Sequence, residues 1–356
     1  MQNPTFSFNQ ISHATSVKTQ FFHYRRPFEL ESGAVLPELQ IAYHTYGKLN
    51  AEKSNVVWVC HALTANADVA DWWKGLVGEG FLINPEEYFI VCANILGSCY
   101  GTSSPTTHNI ITNETYFIDF PQVTIRDMVK AHDLLRQHLG IEEIALCIGG
   151  SMGGQQAMEW AILQPHLFKK LVLLATNAQH SPWGIAFNES QRLAIYADST
   201  WSERRHDAGQ AGLSAARSIA LLSYRNYQTY ESRQSEETNE KIDDFKASSY
   251  QRYQGLKLVR RFNVLSYLIL SKAMDSHNVG RGRESKEKAL HQIQAKTLVI
   301  GITSDILFPP FEQQFLAKHI PDAQYVEIDS PYGHDGFLVE TEKISEVLKE
   351  FLNESL

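Results

Sequence analysis

IALCIGGSMGGQQAMEW, residues 144–160, passes in one step from an apolar β-type run to a helix-forming segment. The run Ile144–Ile148 ends in Gly149-Gly150-Ser151-Met152-Gly153-Gly154. This is a G-x-S-x-G pattern between a predicted strand and a predicted helix, the context in which the pattern has mechanical meaning. A sharp strand-to-helix turn pushes the serine out of the sheet. It also sets the hydroxyl at a helix N-terminus, where developing negative charge is favoured. Side chains at the flanking glycines would collide with the neighbouring strand and helix. Ser151 is therefore expected to be a nucleophile. The alternative is a Gly/Ser-rich turn that merely connects two elements.

Outward from this turn, short apolar runs alternate with helical patterns. Strands are predicted at Val56–Cys60, Tyr88–Ala93, Ile144–Ile148, Leu171–Ala175, Thr297–Gly301 and Gln324–Ile328. Helices are predicted at Val123–Leu139, Gln155–Gln164, Phe311–His319 and about Glu340–Leu352. Alternating patterns near 18–28 and 37–46 add antiparallel strands at one edge. Such a pattern implies an α/β protein with a mostly parallel, doubly wound sheet. The alternation breaks from about residue 179 to 290. There the patterns are helical only, at Glu189–Ala197, Asp207–Ser223 and Phe262–Asp275, around a charge-mixed stretch, Glu231–Lys246, expected to be a solvated surface. The expected organisation is a core of residues 1–178 and 291–356, interrupted by a helical lid insertion, 179–290.

The 356 residues include 32 Lys and Arg against 40 Asp and Glu, giving a formal net charge of −8 and no basic footprint for nucleic acid. No run of about 18 apolar residues exists to span a membrane. The opening twenty residues carry neither a basic start nor an apolar stretch, so no secretory leader is expected. Of the four cysteines, Cys60, Cys92 and Cys147 sit in or at the ends of apolar runs and read as buried thiols in a reducing, cytoplasmic setting. No zinc spacing or H-E-x-x-H motif appears, so no metal is expected.

A serine hydroxyl needs a base within hydrogen-bond reach, and that base needs an orienting carboxylate. After the predicted strand Thr297–Gly301 the chain leads to Asp305, and after the last predicted strand it leads to His334. Asp322 and Asp329 read as turn formers, and Asp275 ends an inserted helix. His108, His132, His138, His166, His206, His291 and His319 lie on helices or in linkers with no matching acid. The order Ser151, Asp305, His334 is that of the α/β-hydrolase fold. An oxyanion hole is expected from the Met152 N–H and the Leu63 N–H, with Ala62 a neighbouring alternative to Leu63. His61 reads as a loop-packing residue. These residues point to acyl transfer through a serine, and the fold does not choose between water and another acceptor.

Several longer stretches narrow this. CHALTANADVADWW (60–73), NILGSCYGT (94–102), TIRDMVKAHDLL (124–135), GGSMGGQQAMEW (149–160), LSAARSIALLSYR (213–225), RFNVLSYLILSKAMDSHNVGRGR (261–283), GITSDILFPPFEQQFLAKHIP (301–321) and GHDGFLVE (333–340) together resemble the homoserine O-acetyltransferases and their serine- and succinyl-transferring relatives. The resemblance covers nearly the whole chain. It implies an acetyl group passed from acetyl-CoA, a co-substrate with no further cofactor, to Ser151 and then to the hydroxyl of L-homoserine, in methionine biosynthesis. It assigns the substrate carboxylate to Arg217, assisted by the Tyr224 hydroxyl, and the substrate amine to Asp335. Arg217 and Tyr224, seven apart, share one helix face and could clamp a carboxylate. Arg225 reads as structural, though it competes closely with Arg217. The resemblance also implies a homodimer paired through the insertion, with the apolar helix near Leu265–Met274 available for pairing or for internal packing. Residues 64–68, 103–109 and 263–265 depart from the common pattern and are expected near the pocket.

Overall fold

The protein is described by a computed structural model that covers residues 18–354. The N-terminal stretch examined for a leader lies outside the described residues up to position 17. Eight strands form one sheet: β1 (Gln20–Tyr24), β2 (Leu39–Tyr46), β3 (Val56–Cys60), β4 (Phe89–Ala93), β5 (Ile144–Gly150), β6 (Phe168–Leu174), β7 (Lys296–Ile302) and β8 (Ala323–Ile328). Their order is β1-β2-β4-β3-β5-β6-β7-β8. β1 is an edge strand paired antiparallel with β2, β2 pairs antiparallel with β4, and β4-β3-β5-β6-β7-β8 pair in parallel. The central strands β3, β5, β6 and β7 are buried on both faces, which is why they read as unbroken Val/Ile/Leu runs rather than alternating ones.

Helices cover both faces. The helix α1 (Ile125–His138) begins at Thr124, whose hydroxyl accepts from the Asp127 N–H while the Asp127 carboxylate accepts from the Thr124 N–H. This capping box fixes where the helix starts. Its buried residues Ile125, Met128, Val129, His132 and Leu135 recur at helical spacing. Each large apolar side chain so buried contributes about 1.5–3 kcal/mol. The helix α2 (Met152–Leu163) starts three residues before the predicted Gln155, because the first turn can carry Gly153 and Gly154.

Between β6 and β7 the chain forms helices and turns, with one isolated bridge between Gln179 and Asn278. The helices are α3 (Pro182–Tyr196), α4 (Gln210–Tyr224), α5 (Tyr227–Gln234), α6 (Lys246–Val259), α7 (Val264–Asp275) and α8 (Lys286–Leu290). The start of α3 lies seven residues earlier than predicted, because Ser181 caps it and Pro182 occupies its first position. Asn263 caps α7, accepting from the Leu265 and Ser266 N–H groups. Most of α7 is buried, including Leu265, Leu268, Leu270 and Met274, so this apolar helix packs inside the chain. The charge-mixed stretch expected as surface is exposed over most of 235–245, but it is flanked by α5 and α6. After β7 come the helices α9 (Pro310–His319) and α10 (Thr341–Asn353), with a short turn of helix at Gly336–Val339 between them.

Candidate active site

Ser151 stands between the end of β5 and the start of α2 with φ 57° and ψ −126°, a conformation that a non-glycine residue holds only when its surroundings enforce it. Its N–H donates to the Leu174 carbonyl and its carbonyl accepts from the Thr176 hydroxyl. A Cβ on Gly153 would overlap the Cys60 carbonyl, and one on Gly149 would overlap the Gly153 backbone. The glycines thus let strand β5, helix α2 and the end of β3 meet at the turn.

The three chemical residues predicted from the sequence come together. Ser151 Oγ lies 2.8 Å from His334 Nε2, and His334 Nδ1 lies 2.6 Å from Asp305 Oδ2. With Nδ1–H donating to the carboxylate, Nε2 is left to accept the serine proton. Asp305 follows β7, and its other oxygen accepts from the Leu307 and Phe308 N–H groups at 2.8 and 2.9 Å. His334 follows β8 in a tight turn where Gly333 has φ +64° and donates its N–H to Ser304 Oγ. The imidazole stacks on Phe308, ring centroids 4.9 Å apart. Ser151, Asp305 and His334 are 6%, 2% and 3% exposed, so the relay is nearly enclosed, and the cavity reaches it at Ser151 and His334.

Met152 opens α2, so its N–H has no intrahelical acceptor. Leu63 follows β3 and lines the same cavity as Ser151. A residue the sequence reading missed joins the two loops. Gln156 Nε2 donates to the His61 and Met152 carbonyls, both at 3.1 Å, and Gln156 Oε1 accepts from His132 Nε2. His61 is fully buried; its Nε2 accepts from the Ile95 N–H and its Nδ1–H donates to the Ala62 carbonyl. Desolvation pushes its pKa down to about 4, so it is a neutral packing group, as expected. The double glutamine Gln155-Gln156 in the sequence was the available signal, since two amides on a buried first turn must find partners.

The cavity above Ser151 has a volume of about 410 Å³. Arg217 and Tyr224 both reach it from α4, with the guanidinium carbon 5.3 Å from the tyrosine ring centroid. Arg217 has no carboxylate partner among the described residues. Burial, the larger effect, pushes the Tyr224 hydroxyl pKa up against the pull of Arg217, so the phenol keeps its proton. Asp335 also lines the cavity, but its Oδ2 lies 3.0 Å from Arg225 Nε. The two form a charge contact without an aligned hydrogen bond, and Arg225 Nε has no hydrogen-bond acceptor among the described residues. Desolvation pushes the Asp335 carboxyl above the usual carboxylate range, opposed by Arg225, Arg217 and His334. Arg225 thus belongs to the pocket wall and is Asp335's partner. Of the departures from the common pattern, 64–66 line the cavity, whereas none of 103–109 or 263–265 does. Ser103 instead packs beside β2, its hydroxyl accepting from the Gln40 N–H. Among the described residues, no cluster of three or more His, Cys, Asp or Glu could hold a metal ion.

Comparisons with known proteins place the chain's family and fold. A family model described as alpha/beta hydrolase fold matches residues 55–341. The homoserine O-acetyltransferase of Cyclobacterium marinum is 50% identical over 347 residues, covering 97% of this chain and 99% of the relative. The solved homoserine O-acetyltransferase of Bacillus anthracis is similar with a TM-score of 0.86 at 25% identity, covering 95% and 98% of the two chains. A solved acetyl esterase, MekB, is similar at 26% identity with a TM-score of 0.83, covering 95% and 97%. The chain belongs to the homoserine O-acetyltransferase family, built on the α/β-hydrolase fold.

Proposed function

We propose that this protein transfers acetyl from acetyl-CoA to the hydroxyl of L-homoserine, through an acetyl group carried on Ser151. The observation that carries the reading is one cavity lined by Ser151 and His334 of the relay and by Arg217, which has no carboxylate partner among the described residues. His334 Nε2 takes the Oγ proton as the oxygen attacks the thioester carbonyl carbon. The N–H groups of Met152 and Leu63 receive the oxyanion. The C–S bond then breaks, and the departing sulfur takes the proton from His334. Homoserine binds next, its carboxylate on Arg217 and the Tyr224 hydroxyl, its ammonium beside Asp335. His334 removes the proton of its hydroxyl, which attacks the acetyl-serine carbonyl, and collapse returns the proton to Ser151 Oγ. Asp305 holds the imidazole throughout.

The segment 179–290 acts as a lid whose helices exclude water, so that bound homoserine intercepts the acyl-enzyme. The protein works in the cytoplasm in methionine biosynthesis and pairs as a homodimer. The exposed Leu193, Leu222, Tyr253 and Leu256 on α3, α4 and α6 support pairing through the inserted helices. No described helix is long and apolar enough to cross a membrane. A matrix of acetyl- and succinyl-CoA against homoserine and serine, following thiol release and ester product, tests the reading. O-acetylhomoserine is expected to dominate. Thiol release indifferent to homoserine, with acetate the only acyl product, would instead favour the esterase reading that MekB's similarity brings forward.

A further inference from the structure

The cavity holds more positive charge than an amino-acid acceptor uses. Four cations, Arg217, Arg225, Lys257 and Arg261, face two carboxylates, Asp71 and Asp335. Arg225 is committed to Asp335. Arg217 suffices for one substrate carboxylate. Lys257 and Arg261 are left over, and neither has a carboxylate partner among the described residues. Elsewhere on the same helix the pattern differs: Lys246 pairs with Glu237 and Arg252 with Asp244.

Arg261 is held in place by neutral groups. Its Nη1 donates to the Thr64 carbonyl at 2.6 Å and to Tyr100 Oη at 2.8 Å, and its Nη2 approaches Thr64 Oγ1 at 3.4 Å. These contacts orient the guanidinium without neutralising it and leave further N–H donors unused. Thr64 directly follows Leu63, so this fixed charge stands beside the loop that faces Ser151. Lys257 enters the same cavity from α6.

We propose that Lys257 and Arg261 form a phosphate-binding site for the nucleotide end of the acyl donor. The proposal rests on the acetyl-CoA reading above and names the residues that select a coenzyme thioester over a simple one. Planar Arg261 and flexible Lys257 supply the two donor types that phosphate oxygens accept. Both line the cavity that contains Ser151, and Arg217 and the Arg225-paired Asp335 are left for the acceptor.

The test compares acetyl-CoA with S-acetyl-pantetheine, which keeps the thioester and lacks every phosphate, at saturating homoserine. In Lys257→Ala the KM for acetyl-CoA is expected to rise about tenfold, and in Lys257→Ala/Arg261→Gln about a hundredfold. The KM values for S-acetyl-pantetheine and homoserine should move less than about twofold, and Lys257→Arg should restore most of the acetyl-CoA affinity. Calorimetric titration with CoA should show the same weakening in Kd. Equal loss with both donors would overturn the proposal, since it would mean that Arg261 only braces the Thr64 loop. An unchanged KM for acetyl-CoA in the double variant would overturn it too. Wild-type protein that uses S-acetyl-pantetheine as efficiently as acetyl-CoA would overturn the phosphate site and leave the transferase reading standing. Failure of both donors to give O-acetylhomoserine would overturn both.

Discussion

The sheet-borne part of the site and the inserted helices are built by opposite rules. Ser151, Asp305 and His334 each follow a strand, β5, β7 or β8, and each is nearly enclosed. Backbone hydrogen bonds from Leu307, Phe308 and Gly333 fix them before any substrate arrives. Arg217 and Lys257 come from inserted helices and Arg261 from the turn between α6 and α7; all three keep part of their surface exposed, and none has a carboxylate partner among the described residues. The sheet therefore supplies rigid acyl chemistry that an esterase could use equally well. The insertion supplies charge that waits for ligands. In the proposed mechanism, the groups that would favour transfer over hydrolysis come from the inserted helices together with Asp335.

The largest expected effect strikes the sheet side. Ser151→Ala should lower turnover about 10⁴-fold or more with every acyl donor, measured by thiol release, because the acyl carrier is gone. Retention of homoserine-dependent turnover would break the comparison at once. Next comes Arg217→Ala, which should reduce kcat/KM for homoserine about 10–100-fold through loss of a charge-assisted carboxylate contact, while Ser151 is still acetylated in single turnover. Equal loss of both steps would mean that the insertion supports the chemistry itself. A smaller effect is expected at the seam between β3 and α2. Gln156→Ala leaves the His61 and Met152 carbonyls without their shared donor. It should lower kcat about tenfold, by loosening both loops that would hold the oxyanion, with little change in KM for homoserine.

The smallest effect concerns pH. Burial is the main reason that the Glu312 carboxyl is raised from 4.5 to about 7, despite the Asn177 Nδ2 hydrogen bond at 2.9 Å. Below pH 4.5 the group is protonated both folded and unfolded. Between 4.5 and 7 only the folded form keeps the proton, so stability falls as pH rises through that window and stays lower above it. Glu312→Gln should raise Tm by about 2–4 °C at pH 8 and leave it unchanged at pH 4, measured by thermal unfolding. The buried histidines work in the other direction. His61, His132 and His180 are pushed down to about 4 and His277 to about 3, all chiefly by desolvation. Their contribution is complete above the unfolded value of about 6.5 and is lost as pH falls from there toward 4.

The two regions also differed in how far the sequence revealed them. The predicted core strands match observed strands to within a few residues, because a strand buried on both faces must be a continuous apolar run. Asp305 and His334 followed from that strand order. The inserted helices carry polar faces, and α5 and α6 went unrecognised because few of their residues are buried. Lys257 consequently had no element to sit on. Arg217 was assigned only through family resemblance, since helical spacing shows which residues share a face but not what that face meets. The contact between Arg225 and Asp335 joins residues 110 positions apart in the chain and leaves no local pattern. Gln156 was hidden for a related reason, because its partners come from two other elements.

The claim that Ser151 carries acetyl between two substrates is tested most directly by mass spectrometry of the protein mixed with acetyl-CoA alone, then with homoserine added. The account predicts one acetyl group on the Ser151 peptide, absent in His334→Ala, persisting until homoserine discharges it as O-acetylhomoserine. No adduct on Ser151, or an adduct lost to water as acetate at the same rate with and without homoserine, would contradict it.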